Sequence, residues 1–189
     1  NMPLTKINFS LQAPTGAILQ TITASEDTSA SYTSTDGDNP EMVISAAITP
    51  SATTSKILIT GFISIGCLYS SYSGRLDYLG VRLKRGTTVI GETSDLSSLT
   101  TMLGGTATGA RPLHSIIKDE AGYSASRPAS IPFHFADSPS TTSAVTYTLI
   151  VRAATGSRTL YYNRNANDGN YNLSTERTLS WLTVMEVVV

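Results

Sequence analysis

A two-residue period, repeated along most of the chain, constrains the fold more than any other feature. Apolar side chains alternate with polar ones, or gather in short blocks, in nine runs. These are residues 17–23 (AILQTIT), 42–48 (MVISAAI), 56–65 (KILITGFISI), 76–84 (LDYLGVRLK), 88–92 (TVIGE), 131–135 (IPFHF), 145–152 (VTYTLIVR), 158–162 (RTLYY) and 179–188 (LSWLTVMEVV). Such alternation places one side of an extended chain in a core and leaves the other in water. Val145, Tyr147, Leu149 and Val151 set against Thr146, Thr148 and Arg152 give the cleanest case. In 56–65, Ile57, Ile59, Ile63 and Ile65 share one side while Leu58 and Phe62 take the other, the pattern of a strand covered on both faces.

Turn-forming residues separate the runs: Asp36-Gly37-Asp38-Asn39-Pro40, Thr49-Pro50-Ser51, Lys84-Arg85-Gly86, Asp137-Ser138-Pro139-Ser140 and Asn167-Asp168-Gly169-Asn170. Short strands joined this way predict an all-β fold, an antiparallel β-sandwich of jelly-roll type. Helical spacing is confined to residues 94–103, where Ser94 would cap and Leu96, Leu99 and Leu103 would share a face; a strand-edge loop is the alternative. The expected organisation is an N-terminal arm or attachment segment over 1–15 and one sandwich over 16–189. A long loop is expected near 104–130, either functional or disordered.

Composition narrows the function. The 189 residues include 25 Ser and 27 Thr, while 14% are charged and the net charge is -1. Thr suits a pleated surface and Ser suits turns. With no basic excess, a dedicated nucleic-acid binder is excluded. No run approaches ~18 apolar residues, so no membrane insertion is expected. Residues 1–6 carry no signal-peptide pattern. Cys67 stands alone, so neither an intrachain disulfide nor, with two histidines, a zinc cluster is available. It reads as a small buried hydrophobe.

Catalytic groups are thin. His134 faces away from Phe133 and Phe135, and Asp137 follows it, so a Ser-His-Asp set exists on paper. Among 25 serines that match carries no weight, and no GxSxG turn accompanies it. No two carboxylates pair as glycoside hydrolysis requires, and the phosphate-binding glycine motifs are absent. No enzyme, catalytic residue or cofactor is therefore expected. Oxygen-rich Asp36–Asn39 and Asn165–Asn170 would suit calcium, but turn formation explains the same residues, and no metal site is assigned.

The segment richest in recognition chemistry is Tyr161-Tyr162-Asn163-Arg164, followed by Asn170 and Tyr171. Rings stack while amides and a guanidinium make fixed hydrogen bonds, which suits a host-surface glycan or protein. Cross-strand packing is the alternative reading for these six residues. A second cluster comprises Tyr69, Tyr72 and Tyr78 with Arg75.

Taken in order, several pieces resemble a group of small β-domains in virion proteins of tailed bacteriophages. They are Gly16–Gln20, Ile48–Ser51 leading through Ser55–Ile59, Arg82–Gly86, Asp137–Thr142, Tyr147, Tyr161–Arg164 and Leu182–Val187. Met2–Ile7 resembles the start of phage structural proteins. The resemblance implies a jelly roll, commonly a homotrimer, at the virion surface, partnered by a fibre stalk or a major capsid protein. It carries no catalytic motif, and residues 104–130 depart from it. A non-enzymatic tail-fibre or receptor-binding domain is the leading expectation. A capsid decoration protein is the alternative, and a free carbohydrate-binding module a further one. In a homotrimer the apolar C-terminal run would be covered, with Trp181, Val184, Val187 and Val189 at the interface.

Overall fold

The structure, a computed structural model, describes residues 13–33, 37–67, 79–90, 115–116, 128–153, 159–165 and 177–189. Among these, all regular structure is extended. The strands are β1 (Ile18–Glu26), β2 (Ala30–Thr33), β3 (Gly37–Ile48), β4 (Lys56–Cys67), β5 (Leu79–Arg85), β6 (Thr88–Ile90), β7 (Ser115–Ile116), β8 (Ala129–Asp137), β9 (Val145–Ala153), β10 (Thr159–Tyr162) and β11 (Ser180–Val187). All nine alternating runs coincide with strands.

Two antiparallel sheets form. In the first, β4 is lined on one side by β8. On its other side lie β11, opposite Lys56–Phe62, and β10, opposite Ile65–Cys67. β1 pairs with β11 and β2 with β10, so β1 and β2 form one edge interrupted at Asp27–Ser29. The second sheet runs β3–β9–β5, with β6 and β7 in one line on the far side of β5. Collinear pieces can be counted as single positions in chain order. The sheets then read first–eighth–third–sixth and second–seventh–fourth–fifth, which is the winding of a jelly roll.

The core lies between the sheets. β4 contributes Ile57, Ile59, Ile63 and Ile65, and β8 contributes Ile131, Phe133 and Phe135. They face Ile44, Ala46 and Ile48 of β3 and Val145, Tyr147, Leu149 and Val151 of β9. Each such side chain contributes roughly 1.5–3 kcal/mol through burial. The outer side of β4 is half-covered instead: Phe62 meets Trp181 edge to face at 5.5 Å. A two-residue turn joins β5 to β6, with Gly86 at φ 58° as such hairpins require.

One expectation needs correction. Gly37–Pro40 was expected to form a turn, yet it lies in β3. Gly37, Asp38 and Asn39 pair with Ala153, Arg152 and Val151, and the register then slips, resuming at Val43 opposite Ile150. Pro40 has no N–H for the ladder, and a bulge absorbs it without ending the strand. The loop expected over 104–130 contains β7 and the start of β8. β2 had no sequence signal, because Tyr32 is its one large apolar residue. The helix candidate at 94–103, the tyrosines at 69, 72 and 78 and the turn at 167–170 lie outside the described residues, as does the side chain of Cys67.

Candidate functional site

β10 and β11 run in the same direction along the same side of β4, and the chain between them leaves the sheet after Tyr162 and returns at Ser180. One strand position is thus split, and residues 163–179 are inserted in the split. Polar contacts close the two lips of this gap. Asn163, fully buried and at φ 55°, accepts the Ser180 hydroxyl on its Oδ1 at 2.6 Å. Its Nδ2 donates to the Glu26 and Thr28 carbonyls at 2.7 and 3.2 Å, where β1 gives way to β2. Its own amide donates to the Ser64 carbonyl at 3.0 Å, and its carbonyl accepts the Thr178 amide at 2.9 Å.

Further contacts complete the neck. Thr178 Oγ1 donates to Ser64 Oγ at 2.7 Å, and the Ser64 amide donates to Ser180 Oγ at 3.0 Å. Arg164 and Arg177 form an antiparallel bridge just beyond. Gly66 makes room for this crossing, since a Cβ there would fall on the Arg164 carbonyl oxygen. Asparagine tolerates a positive φ better than other side-chain residues. The sequence therefore sets a polar residue capable of several bonds where the strand must break.

The six candidate contact residues separate around this neck. Tyr162 turns into the core, donates to the Val43 carbonyl at 3.2 Å and is 2% exposed; burial pushes its phenol up to about 12. Asn163 is likewise internal. Both hold the framework and present no surface, because β10 alternates and the neck folds over its end. Tyr161 points to the other side of the sheet and is also buried, 9% exposed, with the Arg164 guanidinium 4.8 Å from its ring centre. Asn170 and Tyr171 belong to the chain between the neck's two arms and lie outside the described residues.

Two other polar clusters were not expected from sequence. Glu186 is fully buried and takes four hydrogen bonds. They come from Gln20 Nε2 at 2.6 Å, the Ser51 amide at 2.6 Å, Ser51 Oγ at 2.6 Å and Ser55 Oγ at 2.7 Å. Burial acts to raise its carboxyl pKa, but the donors prevail and bring it down to about 2. Asp137 accepts Arg85 Nη1 at 3.1 and 3.0 Å on its two oxygens and the Tyr147 hydroxyl at 2.6 Å, tying the sheets together. Burial, followed by the bond to Asp137, raises the Tyr147 phenol far above its ordinary range. The hint in sequence was position alone: Asp137 and Glu186 sit at inward places of their strands.

Catalytic geometry does not assemble from these groups. His134 is exposed while Asp137 faces the core side, because three residues apart on a strand means opposite faces. Among the described residues no three His, Cys, Asp or Glu side chains gather as metal ligands would.

The proposed interface residues divide by the same rule. Val184 is buried between Leu182 and Glu186 in the inward row of β11, so it belongs to the core and not to an interface. Trp181 and Val187 lie on the outer row, partly exposed, and Val189 is 58% exposed.

No family model matches the chain, and no curated protein does. Among solved structures it is similar to chains of infectious bursal disease virus. In the structure of the Gx strain the identity is 14% and the TM-score 0.36, over 100% of this chain and 42% of that one. In the crystal structure of the VP2 subviral particle the figures are 13% and 0.35, over 99% and 46%. This chain therefore spans less than half the length of either. Likeness at this level establishes neither family nor function, and the jelly-roll assignment stands on the strand order itself.

Proposed function

We propose that the chain is a non-enzymatic virion domain of a tailed bacteriophage, acting in host attachment as a tail-fibre or receptor-binding domain. The observation that carries this reading is the stapled neck between β10 and β11. A rigid sandwich presents an inserted segment, rich in Asn and carrying Tyr171, from a hydrogen-bonded base. Binding residues are commonly displayed on loops held by such frames. Arg164 at the base, with Asn170 and Tyr171 beyond it, are the proposed contacts to a surface glycan or protein, and the buried Tyr161 ring supports the Arg164 guanidinium from beneath. The ordered resemblance to phage virion domains supplies the context. A homotrimer with Trp181, Val187 and Val189 toward neighbouring copies belongs to the same proposal.

Antibody labelling of purified particles by electron microscopy tests it. Label at fibre tips is expected. Label over the capsid faces replaces this reading with the decoration role, and unlabelled particles overturn both. On host cells, Arg164→Ala should weaken adsorption of the purified protein several-fold while its melting temperature holds; undiminished adsorption removes the neck from the contact surface.

A further inference from the structure

We infer that the open edge of β1 receives residues 7–12 of a second copy of this chain as an added strand. Among the described residues β1 pairs with β11 alone, so its other side is a sheet edge. Protein edges are usually short, charged or interrupted by proline. β1 is nine residues long, ILQTITASE, with a single charge at its last position.

Its inward side is also unfinished. Gln20 reaches in to Glu186, and Ala24 packs on the core. Ile22 stands between them on that side yet is 39% exposed, whereas Ile18, beyond a bulge and opposite Val187, lies on the outer row. Thr21, Thr23 and Ser25 make the opposite, polar row. The inner apolar layer thus stops one strand short.

The chain ahead of Ala13 carries the matching pattern. Ile7, Phe9 and Leu11 alternate with Asn8, Ser10 and Gln12. Laid along β1, the apolar three continue the inner layer over Gln20, Ile22 and Ala24, and the polar three extend the threonine row. A one-residue slip would reverse both faces, so the period fixes the orientation. Adding a strand to an open edge is an established mode of association.

The turn into β1 argues for a neighbouring copy's segment. The Ala17 amide donates to the Pro14 carbonyl at 2.9 Å, with Gly16 at φ 86°. The Ala17 carbonyl accepts the Val188 amide at 3.0 Å, and the Gly16 amide donates to the Val188 carbonyl at 2.8 Å. The Ala17 carbonyl and the Gly16 amide thus both bond Val188 on the β11 side, and the turn from Pro14 to Ala17 brings the chain into β1 from there. This inference is independent of the host-contact role.

The test mixes single-cysteine chains in a Cys67→Ser background, Ser10→Cys with Thr21→Cys or Thr23→Cys, under mild oxidation. A disulfide-linked species of two chains is expected, and it should vanish when the Thr21→Cys chain also carries Ile22→Lys. Ile22→Lys alone should weaken self-association at least about tenfold, with the far-ultraviolet circular dichroism of the chain unchanged. Three results would overturn the inference. One is a link forming only within a Ser10→Cys/Thr21→Cys double variant; another is a link between two Thr21→Cys chains; the third is no link at either position. A chain that stays monomeric at every concentration overturns it as well.

Discussion

Asp137 and Glu186 flank Ile57 in one cross-strand row, each paired with it from a different side of β4. At ordinary strand spacing the two residues lie about 10 Å apart. Hydrolysis of a glycosidic bond needs two such carboxylates with substrate between them. Here a fully buried isoleucine occupies that place, and both carboxylates are held by protein donors. The row is a framework element at one end of the sandwich, where it fastens β1, the turn before β4 and the second sheet.

Glu186 gives the clearest pH dependence. Its pKa falls from an ordinary 4.5 to about 2 on folding, so the stability it confers is complete above about pH 4.5 and is lost as pH falls toward 2. The size of this effect is roughly 3 kcal/mol. Urea unfolding of wild type and Glu186→Gln across that window should give a steep slope for the first and a flat one for the second. Parallel slopes would assign the acid sensitivity to other groups. At neutral pH the substitution should destabilise by roughly 2–4 kcal/mol, because an amide cannot satisfy all four donors.

Asp137→Asn should destabilise by roughly 2–3 kcal/mol, since Arg85 and Tyr147 both lose a charged acceptor. Tyr147→Phe should weaken the fold by about 1 kcal/mol, removing a single bond. In the wild type, spectrophotometric titration should find one tyrosine that ionises only as the protein unfolds, and that signal should be absent from Tyr147→Phe. Its persistence in the variant would mean another phenol is the protected one.

At the neck, Asn163→Gly keeps the backbone conformation and loses the side-chain bonds, whereas Asn163→Ala loses both. The alanine variant should be the less stable by about 1 kcal/mol. Thermal melts of the pair check this, and equal melting would show that φ 55° carries no strain.

Gly66→Ala should shift or open the neck, because the new methyl group meets the backbone of Arg164 and not a movable side chain. Gly86→Ala, in open space though at positive φ, should cost only about 1 kcal/mol. Hydrogen exchange of the Asn163 and Thr178 amides should quicken in the first variant alone. Unchanged protection there would separate Gly66 from the neck.

The strands themselves were readable from alternation, since Ile57, Ile59, Val145 and Tyr147 repeat a period that no helix shares. What alternation cannot convey is which strands lie end to end. β10 and β11 look like two ordinary runs, and their common line beside β4 is set by pairing between residues far apart in the chain. Asp38-Asn39-Pro40 misled because local turn chemistry was overridden by pairing with β9. The hydroxyl excess was readable as an outward coat, as at exposed Thr146, but not at Ser55, Ser64 and Ser180. All three are buried: the Ser55 and Ser180 hydroxyls donate to Glu186 and Asn163, and the Ser64 hydroxyl accepts from Thr178. The pieces singled out by their order in the sequence gain a physical sense here. Gln20, Ser51, Ser55 and Glu186 meet at one carboxylate, and Arg85, Asp137 and Tyr147 meet at the other. Those motifs hold the frame and say little about what the frame displays.

The hydrogen bond from the Thr178 amide to the Asn163 carbonyl has an evolutionary consequence. It ties together the two ends of the intervening chain, so the length of that chain enters stability only through a slowly growing closure entropy. A lineage could exchange that stretch wholesale, lengthening or recomposing it, while the sandwich beneath kept its sequence. The root works as a socket, and variation in this protein's relatives should concentrate beyond Arg164 and stop before Arg177.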